Sequence, residues 1–342
     1  MTAKPVLAGL PPGQLRETLA SYPAFRSVQV YEWICRGALS FDEMTNLPVS
    51  LRAELAAQYE LFPGGLHTEL RDSDGTVKLG LKLLDGAVIE TVLLSDGKGR
   101  KTACLSTQAG CPIGCVFCKT GAIGFKRNLD SGEIAGQFLL LRRMDSGISH
   151  IVIMGMGEPL LNLDELRKAL DFFSDPGGLN ISKRRVTLST CGIEKGIIDF
   201  AEHGPDIRLA LSLTTAREEL RKRLMPGSSP LPGLKKALLG YQKKRRRRIT
   251  LEMVLLGGIN TGLSDAKAAA GFAAGLDAVI NLIPWNHVEN VDFEGSRLMT
   301  PTAKETSEFA SALESLGLKV TRRTGKGLGI AGACGQLGTG EK

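Results

Sequence analysis

The chain has 342 residues, 43% hydrophobic and 23% charged, the balance of a soluble globular protein long enough for one large domain or two smaller ones. No run approaches 18 apolar residues, since even "AAAGFAAGLDAVI" is broken by Asp277, and "MTAKPVLAGLPPGQ" has no signal-peptide core, so a membrane protein is argued against and a cytoplasmic one is expected. The net charge of +7 leans toward a polyanionic partner, and its clustering in "SKRR" (182–185), "RKR" (221–223) and "KKRRRR" (243–248) points to nucleic acid.

Apolar spacing predicts helices in the first part of the chain. Leu15, Leu19 and Phe25 fall in one segment, Val30, Trp33 and Ile34 in the next, and "VSLRAELAAQYELF" makes a third. Together they form a small helical module over 1–64, closed by "FPGG". Residues 65–95 then read as hairpins, with turn signals at Asp74-Gly75, Asp85-Gly86 and Asp96-Gly97 between β-type runs.

From 96 to 329 the pattern alternates. Strands are expected at "TACLS", "HIVIMG" (150–155), "RVTLST" (185–190), "IRLALSL" (207–213), "ITLEMVLL" (249–256) and "AVINLIP" (278–284), with a seventh at "KVTRR" (319–323). Helical stretches separate them, as at 133–144, 193–203, 232–243 and 264–275. Such alternation means a parallel sheet with right-handed crossovers, either a barrel or a doubly wound sheet. Both place their chemistry at the C-terminal ends of the strands. The last piece, 330–342, is a glycine-rich segment carrying Cys334.

Seven cysteines, at 35, 104, 111, 115, 118, 191 and 334, do not suggest a disulfide scaffold in a cytoplasmic chain. Three of them, Cys111, Cys115 and Cys118 in "GCPIGCVFCKTG", follow the first strand of the alternating series. Tetrahedral zinc would want a fourth ligand, and Cys104 on the preceding strand could fold in. The other reading is a [4Fe–4S] cluster on three thiolates, with one iron open to a small chelating molecule.

C-x3-C-x2-C in this position resembles the radical S-adenosylmethionine (SAM) superfamily. With "MGMGEPLLNL" (154–163), "SKRRVTLST" (182–190), "NLIPWN" (281–286) and "ACGQL" (333–337), the chain resembles one subfamily, the radical-SAM adenine-C2 methyltransferases of 23S rRNA and tRNA. The likeness runs from "VIETV" (88–92) to "CGQL" (334–337). It implies an α/β fold, a partial (β/α)6 barrel with a helical N-terminal module and a β-hairpin extension. It assigns one [4Fe–4S] cluster to Cys111, Cys115 and Cys118. Contacts to SAM fall to Gly157, Glu158, Ser189, Ser212, Leu213, Thr214 and Asn286.

The resemblance also implies a route to adenine C2, an electron-poor carbon that direct methyl transfer from SAM cannot reach. Two SAM molecules are used per turnover. Cys334 takes a methyl group from one, a 5′-deoxyadenosyl radical from the other removes a hydrogen from that S-methyl, and the carbon adds to C2. Cys104 resolves the covalent enzyme–RNA thioether and leaves a Cys104–Cys334 disulfide, which must be reduced before the next cycle. Glu90 would accept the proton. The implied partners are RNA and an electron donor such as flavodoxin or ferredoxin, with the enzyme a monomer. Cys35 and Cys191 match nothing functional and are expected to be structural.

Four places depart from the subfamily's pattern: Thr214 stands where a histidine is usual, "PGSS" (226–229) replaces Pro-Ile-Asn, "GLGIAGAC" lacks an aspartate, and His287 rather than proline follows Asn286. A related resistance enzyme methylates adenine C8, but Pro159 and the Ile-Pro-Trp of "NLIPWN" side with the C2 enzymes. Two other readings share the three cysteines: a glycyl-radical activase, and an Fe–S protein that binds RNA without SAM turnover. Neither requires both Cys104 and Cys334.

Overall fold

Proline and glycine decide where the first helices begin and stop. In the computed structural model, which describes residues 4–323 and 325–338, α1 (Pro12–Thr18) opens on a proline whose missing N–H costs nothing in a first turn. Pro23 precedes α2 (Ala24–Arg36), and Gly37, at φ +88°, ends it in the left-handed region that L side chains avoid. The third helix, α3 (Val49–Gln58), follows Pro48. Val30, Tyr31, Ile34 and Cys35 form the buried stripe of α2. Phe25 does not belong with Leu15 and Leu19 as the spacing suggested. The break at Pro23 puts it in α2, where it is 56% exposed.

The sheet begins at Gly64. Strands β1 (Gly64–Arg71), β2 (Val77–Leu83), β3 (Val88–Ser95) and β4 (Lys101–Leu105) pair antiparallel in turn. Each predicted Asp-Gly turn is present, with positive φ at Gly75, Gly86 and Gly97. Because β3 pairs with β4, residues 65–95 continue the central sheet rather than stand apart from it.

After β4 come a short ribbon, β5 (Gln108–Gly110) with β6 (Phe125–Asn128), and between them the single turn α4 (Lys119–Ala122). The alternating series then runs α5 (Ser131–Met144), β7 (Ile148–Ile153), α6 (Leu163–Ser174), β8 (Val186–Thr190), α7 (Glu194–His203), β9 (Arg208–Ser212) and α8 (Glu218–Leu224). It continues through α9 (Leu231–Arg245), β10 (Ile249–Leu255), α10 (Leu263–Ala273), β11 (Ala278–Pro284), the ribbon β12 (Asp292–Phe293) with β13 (Ser296–Arg297), α11 (Ala303–Ser315) and β14 (Val320–Arg322).

All seven expected strands form, and the sheet order is β1-β2-β3-β4-β7-β8-β9-β10-β11-β14, parallel from β4 onward. The parallel strands follow chain order without reversing. A doubly wound sheet reverses at a switch point, so this is the singly wound alternative, a partial barrel. Helices cover it, and apolar side chains such as Ile151, Leu188, Leu251 and Leu282 are fully buried along the strands. Polar residues interrupt these runs near the strand C-termini, at Ser189, Ser212 and Glu252.

Candidate active site

A cavity opens at those C-terminal ends, bringing thiols, hydroxyls and backbone of several strand ends to one space. Cys111, Cys115 and Cys118 lie on its wall. The loop that carries them is shaped by close backbone approach. Gly110 sits at φ +78°, and a Cβ there would fall 1.8 Å from the Gly124 carbonyl oxygen. The Cys111 N–H donates to that same oxygen at 3.0 Å, and the Cys118 N–H to the Cys115 carbonyl at 3.1 Å. Gly110→Ala is therefore expected to open the loop. We expect it to cost about 1–3 kcal/mol for the strained backbone and to lower iron bound per chain, read by thermal unfolding and iron analysis.

The three thiols suit a cluster better than a lone ion. Among the described residues, no three His, Cys, Asp or Glu side chains close on one point as tetrahedral zinc demands. Cys104, the proposed fourth ligand, is not on this cavity's wall. Burial pushes the Cys111 thiol up to about 12 and raises Cys115 and Cys118 as well; charge repulsion adds to this, from Cys118 on Cys111, from Cys118 and Cys111 on Cys115, and from Cys334 on Cys118. Thiols so placed are poor anions in water but are readily deprotonated by a bound metal. The donor set thus fits three-thiolate ligation of a multi-iron cluster.

The strand ends supply the remaining walls. Gly157, at φ +101°, lies against Gln108; a Cβ would meet that residue's backbone nitrogen at 2.8 Å. Glu158 lines the cavity, but its carboxylate is spent on the protein: Oε1 accepts from Leu160 N–H (3.0 Å) and Thr190 Oγ1 (2.6 Å), and Oε2 from Cys191 N–H (2.7 Å). It clamps the loops after β7 and β8 together. Burial nevertheless pushes its pKa above the usual range, against the pull of those donors.

Ser189 and Ser212 are 3.2 Å apart by their hydroxyl oxygens, and Ser189 Oγ donates to Glu252 Oε2 at 2.8 Å. Sequence reasoning missed Glu252. Its signal was a lone carboxylate inside the apolar run "ITLEMVLL".

Two expected SAM contacts do not reach the wall. Leu213 is fully buried in the core, and Thr214 is buried outside the cavity lining. Thr214 sits at φ +58°, uncommon for a β-branched residue, held by its N–H to Glu252 O (3.0 Å) and by Asn260 Nδ2 on its carbonyl (2.9 Å). Cys191 corrects the opposite way. Expected to be only structural, it lines the cavity beside Glu158. Arg221, from "RKR", is 1% exposed and donates to the Cys191 and Ser212 carbonyls and to Ser228 Oγ, so it fastens loops instead of meeting solvent.

The glycine-rich segment docks over the cysteine loop. Gly335 and Leu337 carbonyls accept from Lys119 N–H (2.8 Å) and Thr120 Oγ1 (2.5 Å), and Asn286 Nδ2 donates to Cys334 O at 3.0 Å. Cys334 therefore borders the main cavity next to Cys118. It also borders a second, smaller cavity, lined by Cys104 and Arg323. Among the described residues, only Met154, Ile283, Asn286 and Cys334 face both spaces. Burial and the neighbouring Cys334 push the Cys104 thiol up to about 12, while Arg323 pulls the other way. All seven cysteines are free, so the expected Cys104–Cys334 disulfide is not formed here.

Glu90 lines neither cavity. Its carboxylate, nearly fully buried, pairs with Lys78 at 3.1 Å and accepts the Gly338 N–H at 2.6 Å, while Lys78 also reaches the Ala331 carbonyl at 3.2 Å. The pair pins the Cys334 segment from below.

A family model for the radical SAM superfamily matches residues 105–262, and one for the ribosomal RNA large subunit methyltransferase N-terminal domain matches 7–61. A protein of Treponema pallidum described as a probable dual-specificity RNA methyltransferase RlmN is 45% identical over 334 residues, covering 97% of each chain. This chain belongs to that family. A relative from Treponema denticola with the same description is 47% identical over 98% of this chain and 96% of its own. The crystal structure of a radical SAM methyltransferase from Sphaerobacter thermophilus superposes with a TM-score of 0.92 at 35% identity, covering 97% of this chain and 99% of that one. A radical SAM methyltransferase employs a [4Fe–4S] cluster and SAM, and the cysteine-lined cavity is the space that the described residues offer for them.

Proposed function

We propose that the protein methylates C2 of adenosine in RNA, in 23S rRNA and in tRNA, with one cluster on Cys111, Cys115 and Cys118 and two SAM molecules per turnover. The observation that carries this reading is the position of Cys334 on both cavities, beside Cys118 on one side and sharing a wall with Cys104 on the other. A reaction confined to SAM cleavage needs neither of those last two cysteines.

When bound, the cluster supplies the electron that cleaves SAM to a 5′-deoxyadenosyl radical. The chain's own residues do the rest. Gly157, Ser189, Ser212 and Asn286 line the space for SAM, and Glu252 orients the Ser189 hydroxyl. Cys334 takes a methyl group from one SAM, gives up one hydrogen atom of that methyl to the 5′-deoxyadenosyl radical made from the other, and bonds through the remaining carbon to C2; the adduct then loses one electron, which would return to the bound cluster. Glu90 takes the C2 proton once the docked segment lifts from it. Cys104 then attacks the Cys334 sulfur, the S–C bond breaks with its electron pair left on the base's carbon, that carbon takes up a proton to become the methyl group, and a transient disulfide remains for reduction. A low-potential donor such as flavodoxin or ferredoxin supplies electrons to the enzyme, which acts as a monomer in the cytoplasm.

The test is nucleoside mass spectrometry on RNA treated anaerobically with reduced enzyme and methyl-deuterated SAM. We expect 2-methyladenosine whose new methyl group keeps two of the three deuteriums, because one is lost to the radical. Three retained deuteriums would remove the S-methyl route, and 8-methyladenosine would move the site of attack.

A further inference from the structure

Two of the three basic runs, "SKRR" and "KKRRRR", lie away from the active site, whereas "RKR" on α8 stands at its end of the sheet. Every strand of the main sheet from β4 onward is parallel, so their N-terminal ends share one edge, a strand-length from the cavity. At about 3.3 Å per residue, strands of five to seven residues separate the two by roughly 17–23 Å. "SKRR" leads directly into β8, "KKRRRR" ends α9 and leads into β10, Arg208 begins β9, and Lys319 immediately precedes β14.

Part of this charge has a local task. Arg245 donates to the Ala201 and Gly204 carbonyls at the end of α7, Lys183 pairs with Asp171, and Lys244, Arg247 and Arg248 pair with Glu202, Asp206 and Asp277. Cations also suit helix C-termini in general. After these are accounted for, six remain. Among the described residues, Arg184, Arg185, Arg208, Lys243, Arg246 and Lys319 are exposed with no ion-pair partner. They are close enough to act on shared neighbours: Arg184 acts on Asp206 together with Arg245 and Arg247, and Arg185 and Arg208 act with Arg100 on His150. Unpaired like charges brought together repel, and nothing in the fold requires them there.

We propose that this N-terminal edge of the barrel is a second RNA-docking surface, gripping the phosphate backbone of the substrate a strand-length from the reacting adenosine. The proposal rests on the reading of the substrate as RNA. A folded RNA is large enough to reach both ends of the sheet, and phosphates need only charge and exposure to be held. An acidic electron-donor protein is the less fitting occupant, because docking there would leave it at the end of the sheet farthest from the cluster.

The experiment compares wild type with the triple variant R184Q/R185Q/R208Q on two RNAs, bulk tRNA and a short hairpin too small to span the sheet. The three side chains are exposed and unpartnered, so the variant should fold, and release of 5′-deoxyadenosine without RNA should match wild type. On bulk tRNA we expect binding weakened at least tenfold and the log–log salt slope reduced by about three, one for each phosphate no longer neutralised. On the hairpin, KM should stay unchanged. The variant R184K/R185K/R208K, which keeps the charge, should bind bulk tRNA nearly as wild type does. Unchanged tRNA affinity and salt slope would overturn the proposal, as would an equal loss on both RNAs, which would put these arginines at the mouth. Intact RNA binding with slowed reduction by an acidic flavoprotein would overturn it in favour of a protein partner. Wild-type enzyme that neither binds nor methylates RNA would overturn the substrate reading itself, an outcome the variants are not needed to detect.

Discussion

Cys115→Ala enzyme, purified and reconstituted without air, will carry iron only at background and will release no 5′-deoxyadenosine from SAM. The same result is expected for Cys111→Ala and Cys118→Ala. Each thiol is one of three, and none has a stand-in. Cys104 faces the other cavity, and Cys191, although on the same wall, is held just after β8 with its N–H on the Glu158 carboxylate and not on the cysteine loop. Three thiolates are also the fewest that leave a single iron of the cluster open for SAM. The measurement is iron and sulfide per chain with the visible absorption of the cluster. A variant that keeps both would remove its cysteine from the ligand set. Full loading with zinc in place of iron would revive the mononuclear reading.

The second large effect separates two cysteines that share one cavity. Cys334→Ala should keep its cluster and cleave SAM, yet transfer no methyl group to RNA. Cys104→Ala should pass the methyl group but stop before release, so that a covalent enzyme–RNA species accumulates as a slow-migrating protein band that nuclease collapses. Recovery of only free RNA from Cys104→Ala would remove the resolving role. The pH dependence has a definite sign. Resolution needs the Cys104 thiolate, and burial holds its pKa up near 12, so in the wild type the thiolate fraction rises about tenfold per pH unit through the neutral range. Decay of the covalent species should therefore accelerate with pH and show no plateau below the ordinary thiol range. A rate that levels off near neutrality would mean that Arg323 outweighs burial once RNA is bound.

Most of the scaffold was legible because period and punctuation carry it. Alternating strands and helices, Asp-Gly turns and C-x3-C-x2-C are local signals, and each maps onto the structure within a residue or two. What escaped depended on direction, which a string of letters does not encode. Leu213 and Thr214 follow Ser212 immediately, yet the backbone at Thr214 turns to positive φ and carries both away from the cavity. Cys191, one residue past β8, turns toward it. Barrel or doubly wound sheet was undecidable from alternation, since both share it and only the pairing order tells them apart. Basic runs are visible as composition, but whether they flank the mouth or the far edge depends on which end of a strand they adjoin. Phe25 was misplaced because Pro23 resets helical phase in a way that spacing alone ignores.

The Lys78–Glu90 pair beneath the docked segment also bears on how the protein should be handled. A backbone amide at Gly338 is one of the groups that complete a buried ion pair, and Cys334 sits four residues before it. Affinity tags, fluorophores or surface tethers joined just beyond that residue would pull on the same amide that keeps Cys334 between its two cavities. The helical module at the other end, with α2 presenting Phe25 and Val28 to solvent, is the safer point of attachment.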